Sequence, residues 1–166
     1  HQLDWEIELA AVIGKRCRRI AVGDALGAIA GYTVVNDISA RDLNVRDDYP
    51  FKFDWFQGKC HDTFAPIGPW IVPSWQIPDP QAVDLRLDVN GAPMQEDSTR
   101  NMIWTVREQI AYLSTIVTLE PGDVVGKLVL VDMRMSSWWF FWPAFEAAHR
   151  KAAGVICTYT MEDSKY

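Results

Sequence analysis

Two glutamates, Glu6 and Glu8, are separated by one residue near the start of the chain. Polar and apolar residues alternate around them, which predicts a β-strand on which both carboxylates project from the same face. Two negative charges so close repel each other unless a positive charge lies between them. A divalent ion would satisfy the pair, and carboxylate oxygens favour Mg²⁺, Ca²⁺ or Mn²⁺ over zinc. The alternative is a solvated strand face, which is the more common outcome for an isolated Glu-x-Glu.

Asp37 and Lys59 are two further polar residues at positions that suit a site. Asp37 follows Asn36 at the end of an apolar run, where an Asn-Asp turn or a helix cap is the alternative interpretation. Lys59 follows Gly58 in a polar stretch and, taken alone, is an exposed loop lysine. The three histidines have no catalytic partner at a recognisable spacing, and no serine or cysteine nucleophile motif occurs.

The composition describes a globular domain with an acidic balance. Of the 166 residues, 49% are hydrophobic and 23% are charged, and the net charge of −6 offers no basic patch for nucleic acid. Three scattered cysteines indicate neither disulfides nor a zinc site, which fits a reducing, cytoplasmic setting. No apolar run is long enough to span a membrane.

The hydrophobic periodicity predicts an α+β domain in which strands dominate. The strict alternation over 83–89, followed by Asn90-Gly91, predicts a β-hairpin. Residues 39–58 lack a clear period and are predicted to form a long ordered loop that lines a site. The other predicted elements are strands over 3–13, 32–35, 70–72, after 120–123 and over 155–160, and helices over 22–30, 105–115 and 144–153.

Several ordered motifs together resemble the fumarylacetoacetate hydrolase family. The resemblance extends from about residue 3 to residue 125. We treat 1–125 as one metal-binding catalytic core and 126–166 as a tail that does not match the family. It implies a mixed β-sandwich roll typical of that family. The segments that carry the resemblance are 3–14 with Glu-x-Glu, 31–42 with Asn-Asp and Ser-Ala-Arg-Asp, 58–69 with Gly-Lys and Asp-Thr-Phe-Ala-Pro, and 89–103 followed by 119–124.

The resemblance implies a role for each candidate residue. The family's metal ligands map onto Glu6, Glu8 and Asp37. Its lysine and arginine near metal and substrate map onto Lys59 and Arg41, which are the expected catalytic and substrate-binding residues. Asn44 stands where a glutamine often contacts the substrate, and it is a shorter amide.

The implied chemistry is metal-assisted cleavage of a carbon–carbon bond in a small diketo or keto-enol acid. Mg²⁺ is the expected cofactor, with Mn²⁺ and Ca²⁺ as alternatives, and the ion would stabilise negative charge as a Lewis acid while Lys59 adds a second positive charge. Acylpyruvate hydrolysis, oxaloacetate decarboxylation and isomerisation of dienoic acids all fit. The resemblance also implies a homodimer and a catabolic role.

Two other interpretations of this chain stay open. The family's general-base histidine commonly lies on a lid segment upstream of Glu-x-Glu, and the family's Gly-rich closing turn is replaced after Val125, so an inactive remnant or scaffold is one alternative. A carboxylate-rich module that holds calcium structurally is the other. We expect further residues upstream of His1, which would restore the lid.

The tail, residues 126–166, should be weakly tied to the core, because it loses the family pattern and carries the aromatic cluster 138–142. Limited proteolysis should therefore cut within the tail before it cuts the core. A digest in which the tail survives while the core is cleaved would contradict this expectation.

Overall fold

The computed structural model describes residues 2–48 and 50–125. Within these ranges strands outnumber helices, which confirms the predicted strand-dominated α+β class. The eight strands are β1 (Leu3–Asp4), β2 (Ile7–Ile13), β3 (Ile29–Asn36), β4 (Ser39–Ala40), β5 (Val72–Pro73), β6 (Asp84–Val89), β7 (Ala92–Ser98) and β8 (Val124–Val125).

The principal sheet has four antiparallel strands in the order β5-β3-β2-β8. Its centre is the long β2–β3 pair, in which Ile7 lies opposite Asn36 and Glu8 lies opposite Val35. The apolar run that forms β2 is almost wholly buried because both of its faces are covered. Glu6 and Asp37 therefore flank the same end of this pair, one just before β2 and the other just after β3.

Two smaller sheets flank this pair. β1, which precedes Glu6, pairs with β4, which follows Asp37, and Asp4 lies opposite Ser39. This pairing joins the two segments in addition to the β2–β3 pair. The predicted hairpin forms from β6 and β7, and Asn90 and Gly91 at its turn both have positive φ angles. Asparagine and glycine tolerate that left-handed conformation better than other residues do.

Two α-helices are described, α1 (Trp55–Lys59) and α2 (Val106–Ile116). Helix α2 presents Val106, Ile110 and Leu113 to a core that includes Leu9, Ala11 and Ile13 of β2. Its first turn is closed by a capping box, in which Thr105 accepts a hydrogen bond from the Glu108 N–H and Glu108 accepts one from the Thr105 N–H. This hydrogen bonding to Thr105 lowers the pKa of Glu108.

Several predicted elements need correction. The strand expected over 3–13 is interrupted at Trp5 and Glu6. The helix predicted over 22–30 is a 3-10 helix over Val22–Ala28. It ends there because β3 begins at Ile29 and not at residue 32. The predicted loop 39–58 contains β4 and most of α1, and the strand expected over 70–72 is reduced to β5.

The predicted helix over 144–153 and strand over 155–160 lie outside the described residues. Among the described residues, no helix has the length and hydrophobicity needed to cross a bilayer.

The capping box of α2 can be tested by its contribution to stability. Thr105→Ala should lower the free energy of unfolding by about 1 kcal/mol, because one of the first N–H groups of the helix loses its acceptor. Thr115→Ala is the matched control, since Thr115 is exposed in the same helix and alanine is a better helix former. Urea unfolding of both variants measures the difference in the free energy of unfolding. Equal stability of the two variants would contradict the assignment of Thr105 as the cap of α2.

Candidate metal centre

Glu6 and Asp37 are fixed to each other through the backbone. The N–H of Asp37 donates to the carbonyl oxygen of Glu6 at 2.9 Å, and the N–H of Glu6 donates to the side-chain oxygen of Asn36 at 3.1 Å. The strand interruption at Trp5 and Glu6 is thus held by the end of β3. The two carboxylates leave the backbone at adjoining points.

Glu8 lies two residues further along β2 and is fully buried. One carboxylate oxygen from each of Glu6, Glu8 and Asp37 lies within 4.8 Å of the others. Glu6 and Asp37 are also almost inaccessible, with 9% and 3% of their surfaces exposed. Three buried carboxylates are costly unless positive charge balances them, and their hard oxygen atoms suit Mg²⁺, Mn²⁺ or Ca²⁺.

Lys59 is directed into this cluster. Its ammonium nitrogen lies 3.0 Å from Oε2 of Glu6 and 2.8 Å from Oδ2 of Asp37, and the side chain is only 8% exposed. It is not the exposed loop lysine that the residue alone would indicate. Helix α1 ends at Lys59, and the Asp54 carboxylate caps its first turn by accepting a hydrogen bond from the Gln57 N–H.

Arg41 contacts the outer side of the same cluster. Its guanidinium forms ion pairs with Asp4, at 2.8 Å, and with the other oxygen of Glu6. Partial burial opposes the positive charge, but the hydrogen bonds and charges of Asp4 and Glu6 outweigh this and raise the pKa of Arg41. Glu6 therefore has a lysine at one carboxylate oxygen and an arginine at the other.

Three residues that the sequence did not single out as site residues help to shape the cluster. Asp4 holds Arg41, and the Ser39 hydroxyl lies 3.4 Å from Oε1 of Glu6. Gln95, from the distant strand β7, accepts a hydrogen bond from the N–H of Ile7 at 2.8 Å. Asp4 could have been found from the sequence, because it continues the alternation of Glu6 and Glu8. The contact with Gln95 depends on tertiary packing.

Asn44 also lies close to α1. The side chain is 4% exposed and contacts Gly58, the residue before Lys59. The structure thus brings together Glu6, Glu8, Asp37, Lys59 and Arg41. It places Asn44 against Gly58 of the helix that carries Lys59. His61 is exposed and packs its ring at 5.0 Å from that of Phe64.

Residues 1–127 match the model of the fumarylacetoacetate (FAA) hydrolase C-terminal domain. The chain belongs to the fumarylacetoacetate hydrolase family. Over 122 residues it is 48% identical to a Burkholderia cenocepacia protein that is described as a hydrolase. The match covers 74% of this chain and 42% of that relative. The chain therefore spans less than half the length of the curated relatives it matches.

Solved structures of the family share this fold. Fumarylpyruvate hydrolase from Pseudomonas aeruginosa, in complex with Mn²⁺ and pyruvate, matches with a TM-score of 0.67 and 37% identity, covering 74% of this chain and 52% of that one. The 2-hydroxyhepta-2,4-diene-1,7-dioate isomerase from Mycobacterium marinum matches with a TM-score of 0.64 and 40% identity, covering 75% and 46%. The family and its fold, expected from the sequence motifs, are confirmed.

Removal of Glu8 tests whether the three carboxylates form one ion site. We expect Glu8→Ala to weaken Mn²⁺ binding by several kcal/mol, on the order of the cost of losing one of three anionic ligands. Isothermal titration should show one site in the parent chain and little heat in the variant. Glu96→Ala removes an exposed carboxylate of β7 and should leave the isotherm unchanged. Equal binding by the Glu8 variant and the parent would remove Glu8 from the site.

Proposed function

We propose that this chain carries the metal-binding core of a hydrolase that cleaves a carbon–carbon bond in a small diketo or keto-enol acid, such as an acylpyruvate. The observation that carries the proposal is the buried cluster of Glu6, Glu8 and Asp37 with the Lys59 ammonium at hydrogen-bonding distance. Family membership makes hydrolase chemistry the expected class. Decarboxylation or isomerisation of a related acid uses the same enolate stabilisation and is the alternative outcome.

Glu6, Glu8 and Asp37 would hold one divalent ion, Mg²⁺ or Mn²⁺. The donor set fits, because all three are carboxylates and one oxygen of each already lies within 4.8 Å of the others. When bound, such an ion supplies Lewis-acid stabilisation of a keto or enolate oxygen. The Mn²⁺ in the fumarylpyruvate hydrolase structure supports this choice of cofactor.

Lys59 would act on the charge that develops during cleavage. Hydrolysis adds water to a carbonyl carbon, and the electron pair of the broken carbon–carbon bond leaves as an enolate that then takes up a proton. An ammonium group held in a buried site stabilises such an enolate strongly, because little water screens it. The ion pairs with Glu6 and Asp37 keep Lys59 at this position.

Arg41 could act in two ways. Its ion pairs with Asp4 and Glu6 orient the Glu6 carboxylate, and its side chain is still 38% exposed, so the guanidinium can also meet a substrate carboxylate. Substrate contact by Asn44, the homodimer and the cytoplasmic location stay predictions. The pyruvate bound by the Pseudomonas aeruginosa relative supports a small keto acid as substrate.

Lys59→Met separates catalysis from ion binding. Turnover of an acylpyruvate should fall by roughly a hundredfold or more, the usual effect of losing one charge-stabilising group in a shielded site. Affinity for Mn²⁺ should rise, because a neighbouring positive charge opposes cation binding. Steady-state kinetics and isothermal titration on the same preparation measure both quantities.

The matched control is Lys15→Met, which removes an exposed lysine from the loop after β2 and should change neither quantity. A Lys59 variant with unaltered turnover would exclude Lys59 from the reaction. Absence of parent turnover on a panel of acylpyruvates and oxaloacetate, with Mg²⁺ or Mn²⁺, would favour the inactive scaffold.

A further inference from the structure

Asn44 and Gly58 contact each other with no room for a side chain between them. A Cβ atom placed on Gly58 would lie 1.3 Å from Oδ1 and 2.3 Å from Cγ of Asn44. Atoms cannot approach so closely, and Asn44 is itself buried, so the amide cannot simply swing into solvent. Glycine at position 58 is therefore required by the Asn44 side chain, although Gly58 itself has no positive φ angle.

The Asn44 backbone joins the same two segments. Its carbonyl oxygen accepts a hydrogen bond at 2.9 Å from the N–H of Asp54, the N-cap residue of α1. Its own N–H lies 3.2 Å from the carbonyl oxygen of Ala40 and 3.3 Å from that of Arg41. Asn44 thus touches α1 at both its beginning and its last turn, and anchors it to the turn that carries Arg41.

The Asn44 side-chain oxygen is not explained by hydrogen bonding. Among the described residues, its buried Oδ1 atom accepts no hydrogen bond. A buried carbonyl group without a hydrogen bond costs free energy that an apolar side chain of similar size would avoid. The close packing on Gly58 is the contact that the described structure gives this oxygen atom.

We infer that Asn44 is a positioning residue for Lys59. Its amide sets how closely α1 approaches the turn over 40–44, and Gly58 is the residue immediately before Lys59 in that helix. A shift of α1 would move the Lys59 ammonium relative to Glu6 and Asp37, which it meets at 3.0 and 2.8 Å. This inference rests on the proposed function, because it assigns Asn44 to the same site through Lys59, in place of the substrate contact that the family resemblance implies.

Two double-mutant cycles test the inference. In the first, Asn44→Ala, Gly58→Ala and the double variant are compared for kcat, KM and Mn²⁺ affinity. Gly58→Ala should lower kcat by at least about tenfold, as displacement of a catalytic group by a fraction of an ångström does. Asn44→Ala removes the obstructing amide, so the double variant should recover most of that loss. Each single variant should alter Mn²⁺ affinity by at least about twofold, because a displaced Lys59 charge acts differently on the ion.

The second cycle combines Asn44→Ala with Lys59→Met. Asn44→Ala alone should lower kcat about tenfold with KM changed less than about twofold, and it should have no further effect once Lys59 is methionine. Direct substrate contact predicts instead a raised KM that persists in the Lys59→Met background. That result would overturn the inference.

A purely structural role is distinguished by unfolding. If Gly58 and Asn44 couple in urea stability while kcat and Mn²⁺ affinity stay uncoupled, the contact matters for folding only and the inference fails. Failure of the proposed function is a separate outcome, since it appears as absent turnover in the parent chain. The Mn²⁺ isotherms of the first cycle then still decide whether Asn44 and Gly58 act together on Lys59.

Discussion

The structure of the candidate metal centre depends on the repulsion among three buried carboxylates at one end of the β2–β3 pair. Glu6, Glu8 and Asp37 cannot be held within a few ångströms of each other unless positive charge faces them. The chain meets this requirement from two directions, with Lys59 at one oxygen of Glu6 and Arg41 at the other. Much of the surrounding architecture serves to bring these two cations to the strand ends.

Lys59 and Arg41 are positioned by different elements of the fold. Arg41 follows β4, which is paired with β1 and so lies beside the residues that precede Glu6. Lys59 ends α1, whose first turn is capped by Asp54. Arg46 also binds Asp54, at 3.0 Å, so the cap has a charge partner of its own. The short elements within the predicted loop are therefore the parts that position charge.

Much of this could be predicted from the sequence, for identifiable reasons. The β6–β7 hairpin and helix α2 follow from local periodicity and from turn and cap residues, and the Glu-x-Glu spacing indicated an acidic pair. The site around Lys59 could not be derived from local pattern, because its contacts with Glu6 and Asp37 join residues 53 and 22 positions apart. Family motifs supplied those pairings. Neither route indicated the packing of Asn44 on Gly58, which depends on the spacing of two non-periodic segments.

Lys59 and Arg41 also bear on how the proposed ion would bind. Because both cations belong to the polypeptide, Glu6 and Asp37 acquire counter-charges as a result of chain folding itself. Small zinc domains differ, since their ligands are not assembled in the unfolded chain and folding waits for the metal. Here an incoming divalent ion would enter a prearranged pocket by loosening the hold of a lysine, so that loading resembles cation exchange and not assembly.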